Sequence, residues 1–118
     1  MYKIDPDKTI HISRGDEKTI VITVNNGEYE IQQGDILKLR IFQKKDYTNM
    51  LKEIVAIVNE ETTQVDINLT REDTIIGEDI SKPVTYWYEV SLNETETIIG
   101  YDEDGAKEFI IYPAEKGE

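Results

Sequence analysis

The chain has 118 residues, and its 25 Asp and Glu outnumber 13 Lys and Arg, which gives a formal net charge of −12. This length favours one domain with a single core, and the acidic excess disfavours nucleic acid and anionic membrane surfaces as partners. The sequence has no cysteine, so it offers no disulfide or thiolate site. Its one histidine, His11, excludes a multi-histidine metal site within the chain and disfavours a histidine-based triad.

Five segments alternate apolar and polar residues, which is the period of a β-strand with one buried face. Their apolar positions are mainly Ile and Val, residues that fit a pleated, half-buried sheet. In chain order, these segments are residues 10–13, 18–24, 37–41, 65–69 and 86–92. Apolar runs at 98–99 and 109–112 add further short strands.

Residues 51–58 break this alternation, because five apolar residues run together from Ile54 to Val58. A continuous apolar run is typical of a strand covered on both faces, so we expect a central strand here. A short helix is the alternative, since periodicity alone does not separate the two.

Turn signals separate the predicted strands. Asn25-Asn26-Gly27 is a hairpin signal, because Asn and Gly tolerate the positive φ of tight hairpin turns. The segments 33–35, 59–63 and 104–105 are similar, and Pro83 and Pro113 flank strands where they cost no ladder hydrogen bond.

One segment has the signature of a helix start. Thr70 precedes Arg71, Glu72 and Asp73, and its side chain can accept a hydrogen bond from a backbone N–H near Asp73. Gly77 follows closely, so one short helical turn is predicted near residues 70–76.

These elements predict an all-β domain, an antiparallel sandwich of about seven or eight strands with a small open barrel as the alternative. We expect a single domain over residues 1–118, with an ordered core at about 8–113 and a polar tail at 114–118. The hydrophobic fraction of 38% argues against general disorder, which we expect at the two ends alone. No apolar run reaches the ~20 residues of a membrane span, and the N-terminus lacks a signal peptide's apolar centre.

Several short motifs match known sites but have simpler explanations. Arg14-Gly15-Asp16 matches the tripeptide read by integrins, yet a tight connection between two strands accounts for it. The acidic segment 102–105 lacks the later ligands of a calcium loop, so a hairpin tip is expected. The glycosylation patterns at Asn68 and Asn93 are not accompanied by a secretion signal.

The abundant acidic residues also allow paired carboxylates, as in glycoside hydrolases. Glu28 with Glu30, and Glu60 with Glu61, are such pairs, but nothing in the sequence marks one member as desolvated. Because no nucleophile–base set is recognisable, we expect no enzyme activity, no catalytic residues, no cofactor and no metal.

The aromatic group at residues 86–88 is the candidate contact surface. If Tyr88, Val90 and Leu92 face the core, then alternation places Trp87 on the outside. An outward Trp is either covered by a loop or part of a contact surface with protein or sugar, which makes Trp87 and Tyr86 the candidate residues. With the opposite register, Trp87 would be a central core residue.

The order of the strand motifs carries a resemblance over residues 10–112. The motifs are ISRGD at 12–16, the strand at 18–24, GDILKLRI at 34–41, LTREDT at 69–74, YWYEVSL at 86–92 and FII at 109–111. This order resembles the N-terminal domain of the baseplate upper protein family of phages that infect Gram-positive bacteria, including short prophage proteins. The resemblance rests on strands and turns and carries no catalytic signature.

This resemblance implies an immunoglobulin-like β-sandwich that is a structural part of a phage or prophage tail. Its expected partners are other tail or baseplate proteins, with a second copy of the chain as a further candidate. Its expected location is the virion tail after synthesis in the bacterial cytoplasm. In larger members a segment after this domain carries receptor-binding proteins. Since this chain ends at Glu118, we expect either a standalone tail accessory or part of a larger protein. A carbohydrate-binding module that uses Trp87 is the alternative function.

Overall fold

The computed structural model describes residues 2–23, 30–77, 81–101, 103 and 105–113. This part of the chain forms nine strands and one 3-10 turn, so the prediction of an all-β domain with one short helical turn is confirmed. The strands are β1 (Tyr2–Ile4), β2 (Ile10–Ser13), β3 (Lys18–Thr23), β4 (Ile36–Phe42), β5 (Met50–Ile57), β6 (Gln64–Leu69), β7 (Val84–Leu92), β8 (Glu96–Ile99) and β9 (Lys107–Tyr112), and the 3-10 turn is Glu72–Thr74.

The strands form two sheets. The larger sheet has seven strands in the order β1-β2-β9-β7-β4-β5, with β8 paired to the C-terminal end of β7, and the smaller sheet is β3-β6. All pairs are antiparallel except β2 with β9, so the larger sheet is mixed and the prediction of a wholly antiparallel fold is wrong for this pair. These two strands come from opposite ends of the chain, and no hairpin connection sets their relative direction.

One face of the larger sheet packs against the smaller sheet to form the core. Leu39 and Tyr88 of the larger sheet and Ile20 and Ile67 of the smaller sheet belong to the same buried cluster. Each buried aliphatic side chain of this kind stabilises the fold by about 1.5–3 kcal/mol relative to exposure. The two layers match the predicted sandwich, and they leave the opposite face of the larger sheet uncovered by a further sheet of the described residues.

The position of β5 differs from its prediction. It is an edge strand, so neither a central strand covered on both faces nor a short helix is correct. Within the apolar run, Ile54 and Ala56 pack against the core, while Val55 and Ile57 point to the other face and are 49% and 62% exposed. The run is continuous in sequence, but its alternate members lie on different faces of the strand.

The two ends of the chain also differ from expectation. β1 pairs with β2, so the structure extends the ordered core beyond the predicted start at residue 8. The predicted tail at 114–118 and the hairpin signal at 25–27 lie outside the described residues, as do Asp102 and Asp104 of the predicted hairpin tip.

The predicted turn chemistry is confirmed where it is described. The backbone N–H of Asp73 donates to Thr70 Oγ1 at 3.3 Å, and the backbone N–H of Thr70 donates to Asp73 Oδ2 at 2.9 Å. Gly77 follows this turn with φ +71°, a value at which a side chain is strained. Pro83 directly precedes β7, and Pro113 directly follows β9. Among the described residues, no helix has the length and apolar character needed to cross a membrane.

Candidate interaction surface

The uncovered face of the larger sheet, called the open face below, carries Trp87. Tyr88 and Val90 are buried in the core, so the alternation of β7 places Trp87 and Glu89 on the open face, as predicted. Tyr86, the other candidate residue, is 9% exposed and belongs to the core cluster, so alternation places it on the opposite face of β7 from Trp87.

Trp87 is partly buried on this face. Its cross-strand neighbours are Phe42 of β4 and Glu108 of β9. Phe42 is itself buried, with its ring centroid 5.2 Å from that of Tyr47 in the β4–β5 connection. The surroundings of Trp87 therefore combine an aromatic neighbour with an acidic one.

An ion-pair network holds the middle of the open face together. Arg40 Nε lies 2.7 Å from Glu53 Oε2 on β5, and Arg40 Nη2 lies 2.6 Å from Glu94 Oε1 in the β7–β8 turn. Lys38 Nζ lies 3.0 Å from the same Glu94 oxygen, and Glu89 is a more distant partner of Arg40 at 3.9 Å. Hydrogen bonds from Lys38 and then Arg40 lower the pKa of Glu94. Both cations are thus engaged with carboxylates, and the network ties three strands together.

A hydrogen-bonded relay joins the N-terminal strands to β9. His11 Nε2 lies 2.8 Å from Asp5 Oδ2, and His11 Nδ1 lies 2.8 Å from the Tyr112 hydroxyl. The hydrogen bond from His11 is the main reason that the pKa of Asp5 is lowered. The group has the residue types of an acid–base relay, but its three members come from the β1–β2 connection, β2 and β9, which it fastens together.

The structure brings together a different pair of carboxylates from the two pairs that the sequence offered. Glu28 lies outside the described residues, and Glu60 and Glu61 are both exposed. The bridge between Ile31 and Thr62 places Glu30 beside Glu61, and this neighbour raises the pKa of Glu61. Sequence reasoning missed this pair because the two residues are distant in the chain. In the part of the chain that the structure describes, no group of three or more side chains has the arrangement of a metal site.

The Arg-Gly-Asp tripeptide is fastened to the segment around the 3-10 turn, which supports the structural interpretation. Arg14 donates from Nη1 to the carbonyl oxygen of Ile76 at 2.8 Å and from Nη2 to that of Gly77 at 2.9 Å. Gly15 has φ +85°, and its N–H donates to Thr74 Oγ1 at 2.9 Å. Arg14 is therefore engaged with its own chain.

The two glycosylation patterns also have local structural roles. The Asn68 side chain accepts a hydrogen bond from Thr19 across the smaller sheet at 2.7 Å. Asn93 Oδ1 accepts from the backbone N–H of Ile36 at 2.8 Å, and Asn93 has φ +52°, which is typical of Asn in a turn.

The free edge of β5 is the second candidate surface. Val58, directly after β5, donates its N–H to Asp35 and accepts from the N–H of Gly34, so its backbone faces the β4 side. Because backbone groups alternate sides along an antiparallel strand, the N–H and C=O groups of Val55 and Ile57 point away from β4. This edge has no paired strand among the described residues.

A groove of about 590 Å³ runs between the edges of β5 and β6. Its apolar lining residues, Ile54, Ala56, Val58 and Val65, belong to the core or pack against it. Its ionisable described lining residues are Glu60 and Asp66, both exposed and acidic. The groove therefore combines unpaired strand edges, an apolar floor and an acidic rim.

Sequence reasoning missed this groove because it placed β5 in the middle of a sheet. Lys52 and Glu53, in the middle of the strand, were the available signal, since charged residues are common on edge strands. The second strand of the groove, β6, was correctly predicted, but its spatial neighbour is not encoded by local periodicity.

Comparisons of the chain with models of known protein families, with curated proteins and with solved structures found no match. The geometry alone therefore identifies two candidate surfaces, which are the open face around Trp87 and the groove between β5 and β6.

Proposed function

We propose that this chain is a non-enzymatic structural module of a phage or prophage tail or baseplate, with an immunoglobulin-like sandwich, and that it acts through protein–protein contacts. The observation that carries the proposal is the long edge strand β5, in which Met50, Val55 and Ile57 are between 49% and 62% exposed. Exposed apolar edges of this kind are templates for pairing with another chain. The order of strand motifs along residues 10–112 supports the tail assignment.

The clusters of titratable residues support a structural role as well. Arg40 and its glutamate partners span β4, β5 and the β7–β8 turn, and the His11 relay spans β2 and β9. In each cluster, the charged and polar groups bond to one another and so join the strands that carry them. A net charge of −12 keeps free subunits apart until complementary surfaces meet.

Mass spectrometry of purified particles tests this proposal. Particles are released by prophage induction from a strain that encodes the chain and are purified on a density gradient. We expect the chain to co-sediment with tail proteins at a fixed ratio and to be lost from particles of a deletion strain. A chain that is abundant in the cell lysate but absent from particles would contradict the tail assignment.

A carbohydrate-binding module is the alternative, favoured by the position of Trp87 on the open face. Its indole would need to stack on a sugar ring, and its partial burial beside Phe42 limits the accessible area. A glycan array followed by calorimetry separates the two functions. Sugar binding that disappears in Trp87→Ala, with an unchanged circular dichroism spectrum, would favour the alternative over the tail module.

A further inference from the structure

Two strand edges face the same groove with unpaired backbone groups. β5 pairs with β4 alone and β6 pairs with β3 alone among the described residues, and the two strands contact each other and line the same groove. The outward N–H and C=O groups of Val55 and Ile57 line the β5 side. Edges of this kind bind extended peptides by adding a strand to the sheet.

The side chains of the groove select the chemistry of an added strand. Ile54, Ala56 and Val65 make an apolar floor that alternate side chains of a strand can cover. Glu60 and Asp66 are the ionisable described lining residues, and both are exposed carboxylates. An occupant that carries Lys or Arg would complement these carboxylates.

We propose that the groove between β5 and β6 binds an extended, positively charged segment of a partner protein by strand addition, an inference that rests on the proposed function as a protein-contact module. The alternative of a second copy is disfavoured, because each copy carries a net charge of −12 and the groove rim has the same sign. The segment combines apolar residues over the floor with Lys or Arg that complement the acidic rim. At about 3.3 Å per residue, roughly six residues form a strand about 20 Å long, which is a typical strand length.

A peptide titration tests the proposal without changing the protein. The probe is the seven-residue peptide Thr-Lys-Val-Lys-Val-Lys-Thr, acetylated and amidated, added to ¹⁵N-labelled full-length chain and followed by NMR. We expect amide shifts at Val55, Ile57 and Asp66, and weaker binding when ionic strength rises from about 0.05 to 0.5 M, since salt screens exposed charges.

Two altered peptides provide the controls. A version with Glu in place of Lys should not bind, because it meets the acidic rim with like charge. A version with N-methyl groups on alternate backbone nitrogens should bind about tenfold more weakly or worse, since each lost backbone hydrogen bond weakens binding by about twofold to tenfold. Equal binding of the Glu or N-methyl peptide would overturn the proposal.

Matched variants of the chain test the acidic rim. The double variant E60Q/D66N should bind the Lys peptide about fivefold more weakly than wild type, as expected for two exposed ion pairs. The variant E72Q/E96Q changes the net charge equally at exposed positions outside the groove, so its affinity should stay close to that of wild type. Equal losses in the two variants would show a general charge effect and overturn the proposed site.

A third variant tests the strand edge itself. Val55→Pro removes an N–H that points away from β4, so the native ladder keeps its hydrogen bonds while the docking edge loses a donor. We expect peptide binding to fall at least about threefold, with the native circular dichroism spectrum retained. If Val55→Pro unfolds the chain, the N-methyl peptide tests with the native protein whether backbone hydrogen bonds at the β5 edge contribute to binding.

The remaining outcomes separate this proposal from the proposed function. Sedimentation that shows a concentration-dependent dimer, abolished by Val55→Pro, would assign the edge to a second copy and overturn the basic-segment proposal. If particles incorporate the E60Q/D66N and Val55→Pro variants at wild-type levels, the proposed binding role of the groove is overturned while the tail assignment stays intact. Absence of the wild-type chain from particles would overturn the tail assignment, whatever the peptide result.

Discussion

The two edges of the larger sheet are built differently. β1 is three residues long, and β5, at the opposite edge, is eight residues long. Short length, lysines and a nearby proline are devices by which proteins protect an edge from unwanted pairing, and β1 has Lys3 within it and Pro6 after it. β5 also carries a lysine, Lys52, but it is more than twice as long and exposes Val55 and Ile57. The β1 edge is therefore the better protected of the two, and the proposed contact function rests on the β5 edge.

Further contacts fasten the β1 end to the body of the domain. The buried Tyr88 hydroxyl donates to the carbonyl oxygen of Lys8 at 2.5 Å, which anchors the β1–β2 connection. Lys18 Nζ lies 5.3 Å from the ring centroid of Tyr2, a cation–π contact across to the smaller sheet. At the β5 edge, the ion pair between Glu53 and Arg40 joins β5 to its neighbour β4.

A matched pair of isoleucine variants gives the largest expected contrast between the edges. Ile12→Ala, in β2 beside β1, removes a fully buried side chain and should lower the free energy of unfolding by about 2–5 kcal/mol. Ile57→Ala, on the exposed edge, should change it by about 0.5 kcal/mol or less. Urea denaturation followed by tryptophan fluorescence measures both, and similar losses in the two variants would contradict the comparison.

Removal of the Tyr88 hydroxyl has a smaller expected effect. Tyr88→Phe keeps the ring in the core and deletes the hydrogen bond to Lys8, so we expect a loss of about 1 kcal/mol in the free energy of unfolding. The same urea denaturation measures it. A loss in the free energy of unfolding below a few tenths of a kcal/mol would indicate that the β1–β2 connection is held in place without this hydrogen bond.

Tyr88 also gives an alkaline signature. Burial raises the pKa of Tyr88, so the unfolded chain releases this proton first, and stability falls as pH rises above about 10. Tyr88→Phe lacks this group, so its stability should fall less over the same range. Parallel curves for the wild type and the variant, measured by urea denaturation between pH 8 and about 11, would contradict the expectation.

The contrast between the edges marks the limit of what the sequence predicts. Strict alternation identified the strands at 37–41 and 86–92 and placed Trp87 on the outside, because the two faces of those strands meet different environments. The run from Ile54 to Val58 predicted a strand but the wrong position, since a continuous apolar run is the same for a covered strand and for an edge that binds a partner. The apolar character that makes this edge a candidate site is therefore also the reason that the sequence does not show the strand to lie at an edge.

Local sequence patterns do not predict other features, because one element is too short or because the paired residues are far apart in the chain. β1 has too few residues for a period to be read, and its pairing depends on β2. The parallel register of Ile12 with Ile111 joins opposite ends of the chain. The relay through His11 depends on that register, because it brings Tyr112 of β9 beside β2.

The relay predicts a dynamic difference between the edges. Tyr112→Phe removes the hydroxyl partner of His11 Nδ1, at a cost of less than about 1 kcal/mol because the site is partly open to water. Native-state hydrogen exchange should report faster opening of the amides of Tyr2–Ile4. The exchange of β5 should not change. Uniform acceleration across the sheet would instead indicate a global loss of stability.

The smallest expected effect is an acid dependence that belongs to the β1 end. The hydrogen bond from His11, with a further contribution from Lys3, lowers the pKa of Asp5 in the folded chain. A lowered carboxyl pKa stabilises the fold above the unfolded value of about 3.9, and this contribution is lost as pH falls through the folded value. Asp5→Asn should therefore lose less stability than wild type between about pH 5 and 3.

The matched control for this acid dependence is Glu96→Gln, an exposed carboxyl on β8 at a distance from the relay. Thermal unfolding of the three proteins across that pH range measures the effect. Glu96→Gln should follow the wild-type curve, whereas Asp5→Asn should be less stable at neutral pH and converge on wild type in acid. Convergence occurs because protonation removes from the wild type the same charge that the substitution removed. Curves for Asp5→Asn and wild type that remain parallel would show that the Asp5 charge does not help to hold the β1 edge closed.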